Sequence, residues 1–147
     1  MGAYLDCAST TQIYPEVVDA MLPYLKYEYG NPSSMHTLGR TASTAIENSR
    51  ELIAASIGAE PTEIYFTSGG SESNNWAIKG IAKANKHKGN HIITSAIEHS
   101  SVLESCKALE NEGFKVTYVP VDEFGVVDYA SIIKSIGPDT ILISIMT

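Results

Sequence analysis

The chain has 147 residues, 44% of them hydrophobic, and a formal net charge of −7. That length suits one ordinary domain with its own core. The acidic balance excludes nucleic acid and anionic membrane as main partners, which need clustered Lys and Arg, and no apolar run reaches the ~18 residues of a membrane span.

Taken in chain order, MGAYLDCAST has neither the basic-then-apolar order of a secretory signal nor the Arg-rich character of a transit peptide. A cytoplasmic location is expected. Pro15 opens a helix carrying Val17, Val18, Met21, Leu22 and Leu25, which Pro23 is expected to bend. The link YGNPSSMHTLG leads to a helix over 40–57. EIYFTS (63–68) reads as a strand, followed by a helix over 72–87 with Ala77, Ile78, Ile81 and Ala82 on one face and Gly89 past its end. Lys83, Lys86 and Lys88 suit that helix's C-terminus.

HIITSAI (91–97) is a second strand. Ser101 and Glu104 then form a capping-box pair for a helix whose Val102, Cys106 and Leu109 share a face, closed by Gly113. KVTYVPV (115–121) is a third strand, Asp128 caps a helix ending at Gly137-Pro138, and TILISIM (140–146) is a fourth strand. The last run is apolar on both faces, as a central strand is. The alternation predicts an α/β fold with a mainly parallel, helix-covered sheet. A central-type strand at the end of the chain would leave an open edge, so the sequence reads as the front part of a larger domain. Cys7 and Cys106 form no disulfide framework and lack metal-site spacing, so no metal is expected.

The turn TSGGSESNN (67–75) stands where the first strand hands over to its helix. Amides at a helix start have no intrahelical partner, and the helix dipole makes that end positive. Glycines admit close approach and serine hydroxyls add donors, so Gly70 and Ser71 form a candidate phosphate site. The P-loop lysine and the GxGxxG pattern are both missing. One rival is a nucleophile elbow, GxSxG, with Ser71 as a hydrolase nucleophile served by His99, although Ser73 stands where the final Gly should be. A second is a non-catalytic anion-binding or assembly module. His99 leaves the carboxyl end of the second strand, the edge at which open α/β sheets bind ligands. An imidazole there can stack on a flat ring above a tethered anion and carry protons near neutral pH.

YLDCASTT (4–11), YGNPSSMHTLGR (29–40), EIYFTSGGSESNNWAIKG (63–80), HIITSAIEHSSVLE (91–104) and VTYVPVDEFGVVD (116–128) together resemble cysteine desulfurases. The likeness is to the NifS/IscS-like branch of the class V aminotransferases and covers essentially the whole chain. It implies a three-layer, mainly parallel sheet of the pyridoxal-phosphate-dependent aspartate-aminotransferase type, incomplete at its C-terminal end. Residues 1–14 would be an N-terminal segment near the active site or in a small domain, and residues 15–147 the front of the large cofactor-binding domain. The implied activity converts L-cysteine to L-alanine. Its sulfur passes on as a persulfide to an iron–sulfur scaffold or a tRNA-thiolation protein, and the enzyme is a homodimer.

By resemblance, Gly70 and Ser71 bind the phosphate of pyridoxal 5'-phosphate, with Ser71 where relatives often have Thr. His99 stacks on the pyridine ring and assists proton transfer. Cys7 replaces an Asn common in the family. The lysine that anchors the cofactor, the Asp on its pyridine nitrogen, the Arg for the substrate carboxylate and the persulfide-forming Cys are all expected beyond the point matching Thr147. Cys106, mid-helix on an apolar face, reads as packing. The 147 residues alone are therefore expected to be inactive.

Overall fold

In the computed structural model, which describes residues 2–146, the chain divides between residues 65 and 66 into two units. In the first, α1 (Pro15–Lys26) begins with Pro15, whose missing N–H is lost at no cost in the first turn. Glu16 near its start and Lys26 near its end both complement the helix dipole. The helix continues through Pro23, whose carbonyl accepts from the amides of Tyr27 and Glu28. α2 (Thr37–Ile57) starts three residues earlier than the sequence suggests, because His36 Nδ1 accepts the Gly39 amide and caps the helix. Gly39 is needed there, since a Cβ would collide with the Ser34 carbonyl. Gly58, left-handed at φ 68°, ends α2. Glu60 and Glu63 close the short 3₁₀ turn Pro61–Glu63 reciprocally.

The second unit alternates as predicted: α3 (Gly70–Asn85), β1 (His91–Ser95), α4 (Ser100–Asn111), β2 (Lys115–Val119), α5 (Tyr129–Ser135) and β3 (Thr140–Ser144). The strands form one parallel sheet in the order β2-β1-β3, with His91 opposite both Lys115 and Thr140. On β1, Ile92, Ile93, Thr94 and Ser95 are all buried, as a parallel strand covered on both faces should be. Ile78 and Ala82 of α3 meet Val102, Cys106 and Leu109 of α4 over Ile92 and Phe114. Removing a large apolar side chain of this kind from water stabilises by ~1.5–3 kcal/mol. Gly113, at φ 90°, reverses the chain between α4 and β2.

One expectation changes. Residues 64–67 join no strand of the described sheet, so the run at 63–68 is not a strand here. Extended backbone becomes a strand only when a neighbour takes its amides and carbonyls, and neither β2 nor β3 pairs with it. The last run leaves the open edge expected of it: among the described residues β3 pairs with β1 alone, and Ile143 is 43% exposed. No described helix is long and apolar enough to cross a membrane.

Candidate functional site

Gly69 is the N-cap of α3, which places Gly70 and Ser71 at its first two positions. Gly69 has no side chain to cap with. Among the described residues, the amides of Gly70, Ser71 and Glu72 and the Ser71 hydroxyl therefore donate to nothing, while the Ser73 amide bonds back to the Gly69 carbonyl. A Cβ built on Gly69 or Gly70 meets no atom within 4 Å, so the approach to these donors is open. The turn leading in is braced from behind. Glu72 Oε2 accepts from the Ser68 amide at 2.6 Å and the Ser68 hydroxyl at 2.7 Å, and Thr67 Oγ1 meets Ser73 Oγ at 2.7 Å. The Ser68 amide, then its hydroxyl, hold the Glu72 carboxyl below the usual carboxylate range against an opposing effect of burial. The carboxylate is thereby committed to Ser68.

The start of α4 differs from the capping box expected at Ser101 and Glu104. His99 is the N-cap: its Nδ1 accepts the Ser101 amide at 3.1 Å, and Glu104 pairs with Lys107 instead. A ring nitrogen here satisfies a helix-start donor, so the helix begins two residues earlier than Ser101 would set it. The His99 side chain is exposed, and its Nε2 makes no hydrogen bond among the described residues. The loop beneath is pinned at both ends. Buried Glu98 accepts from Ser95 Oγ at 2.9 Å and from the Met146 amide, just past β3, at 2.6 Å, and the Ala96 amide reaches the Val119 carbonyl.

The two helix starts meet at the carboxyl edge of β1. Asn74 Nδ2 of α3 donates to Ser101 Oγ at 2.8 Å, and that hydroxyl lies 2.8 Å from His99 Nδ1. Ser71 lies one turn before Asn74, on the helix face that Asn74 turns toward α4. Gly70, Ser71 and His99 thus stand on neighbouring helix starts. Ser71 and His99 share no hydrogen bond, which a nucleophile and its base would need. Cys106 is fully buried on the core face of α4, as its packing role anticipates. Sequence reasoning missed the parts of Asn74 and Glu98 and read Ser101 only as a helix cap. The available signal was local: a Ser two residues after a His, and a Glu before it, at a strand-to-helix turn.

Donor amides, a free hydroxyl and open glycines suit a dianionic phosphate, and an exposed imidazole beside them suits the flat ring attached to one. The same residues fall inside a match to the family model described as Aminotransferase class-V, over residues 3–147. The "Cysteine desulfurase IscS" of Methanosarcina thermophila is 56% identical over 145 residues, 99% of this chain and 36% of that protein. The "Cysteine desulfurase, mitochondrial" of Drosophila melanogaster is 52% identical over 98% of this chain and 31% of its own. The solved structure of a "NIFS-LIKE PROTEIN" superposes with a TM-score of 0.95 at 42% identity, over 99% of this chain and 40% of that one. "SspA in complex with cysteine" gives 0.90 at 42% identity, over 97% and 41%. The chain thus spans about a third of the length of the curated relatives it matches.

Proposed function

The chain belongs to the class-V aminotransferase family, and from that premise we propose that it forms the phosphate-and-stacking half of the cofactor site of a pyridoxal-phosphate-dependent cysteine desulfurase. The substrate is L-cysteine and the product L-alanine, with the sulfur passing as a persulfide to an iron–sulfur scaffold or another acceptor. In the complete enzyme the working form is a cytoplasmic homodimer. Residues 15–147 are the front of the cofactor-binding domain.

The observation that carries this reading is the joined pair of helix starts. The amides of Gly70 and Ser71, with the Ser71 hydroxyl, bind the phosphate through charge-assisted hydrogen bonds. His99 lies against the heterocycle and holds a proton at Nε2 for exchange with the substrate. The bound group supplies an electron sink. The protein's part is to fix its orientation, and the Asn74–Ser101 bond sets the spacing of the two loops that do so. The anchoring lysine and the sulfur-accepting cysteine belong to sequence matching beyond Thr147, so residues 1–147 alone bind the phosphate ester without turnover.

Titration of the protein with pyridoxal phosphate and with pyridoxal tests this. The phosphate ester is expected to bind and pyridoxal to bind far more weakly. Ser71→Ala should weaken the ester ~10-fold or more, the loss of a hydrogen bond to a charged group. Equal affinity for both compounds, or no effect of Ser71→Ala, overturns the assignment. A visible absorbance band of lysine-bound cofactor from residues 1–147 alone contradicts the predicted lack of turnover.

A further inference from the structure

We infer that Asn74 and Ser101 are positioning residues that fix the tautomer of the His99 ring, with Nδ1 bare and the proton on Nε2, through a one-way hydrogen-bond chain running from α3 to the imidazole.

The direction follows from a single amide. A backbone N–H can only donate, so the Ser101 amide at 3.1 Å makes His99 Nδ1 an acceptor without a proton of its own. The Ser101 hydroxyl lies 2.8 Å from the same nitrogen. Two lone pairs do not sit at that distance unshielded, so the hydroxyl's only proton points at Nδ1. Ser101 Oγ can then only accept on its other side, and Asn74 presents Nδ2 there at 2.8 Å. Ser101 is 8% exposed, which leaves little room for water to replace Asn74.

With Nδ1 committed, Nε2–H is the nitrogen left for a ligand, since which ring nitrogen carries the proton is set by the bond the other one makes. The chain also ties the ring plane to α3, the helix whose start carries Gly70 and Ser71. The use of this tautomer in the reaction rests on the proposed cofactor site. The hydrogen-bond chain itself does not.

Nitrogen NMR of the imidazoles in the intact protein, free of cofactor, tests it. His99→Gln identifies the His99 signals by their loss. Nδ1 is expected as a bare, hydrogen-bonded ring nitrogen and Nε2 as protonated. Ser101→Ala should move the Nδ1 resonance downfield, toward a nitrogen with fewer donors, and Ser101→Thr, which keeps a hydroxyl, should restore it. Asn74→Asp puts an acceptor where Nδ2 stood, competes for the Ser101 proton and should move Nδ1 the same way as Ser101→Ala.

A protonated Nδ1 in the unsubstituted protein overturns the inference, whatever becomes of the variants. So does an Nδ1 resonance that either Ser101→Ala or Asn74→Asp leaves in place. Addition of pyridoxal phosphate separates the two readings. Movement of the Nε2 signal supports His99 facing the cofactor. An unmoved Nε2 with the Nδ1 signature intact counts against the cofactor site and leaves the hydrogen-bond chain standing.

Discussion

Glu72 shows how one side chain prepares the turn. Its carboxyl is held below the usual range chiefly by the Ser68 amide. The folded value therefore lies below the unfolded one. The clamp's contribution is present above the unfolded Glu value of about 4.3 and disappears as pH falls through the lower folded value. A pH titration of the Ser68 amide resonance should show a midpoint below that of Glu in an unstructured peptide; a midpoint at or above it removes the clamp from the account. The two cysteines differ for similarly local reasons. Burial first, then Glu110 and Glu98, push the Cys106 thiol up to about 11, while Cys7 is exposed. In the native protein an alkylating reagent should label Cys7 and spare Cys106, as mass spectrometry of peptides would read. Rapid labelling of Cys106 would contradict its place in the core.

Helix caps carry much of what holds at the scale of elements. Asp128 accepts from the amides of Ala130 at 3.0 Å and Ser131 at 3.1 Å, and from Ser131 Oγ at 2.6 Å. α5 has only seven residues, so a cap governs a large share of it. Asp128→Ala should destabilise α5 and speed amide exchange through it before the rest of the unit opens. Unchanged exchange there would show that packing, and not the cap, holds the helix. Caps of this kind were legible, because the donor and acceptor lie within three residues: Pro15, Asp128 and Gly113 all stand where the sequence put them. His36 and His99 were not, because a ring caps a helix only when its nitrogen happens to face the first amides. Ser101 was read as the cap for that reason, and it proves to be the donor.

For the whole second unit, stability should follow the contact of α3 and α4 over β1. Leu109 is fully buried in that contact, so Leu109→Ala should cost ~2–5 kcal/mol in denaturant unfolding, and a loss below ~1 kcal/mol would place the core elsewhere. The order of strands and helices, the parallel sheet and the donor-rich turn at Gly70 and Ser71 were determined by the sequence itself. They arise from hydrophobic period and from residues adjacent in the chain. Two matters belonged to tertiary structure alone. Residues 64–67 stay outside the described sheet because a strand is defined by its neighbour and not by its own side chains. The tautomer of His99 is set by Asn74, a residue of another helix whose bond to Ser101 spans 27 positions, and only the packing of α3 on α4 brings that donor within reach.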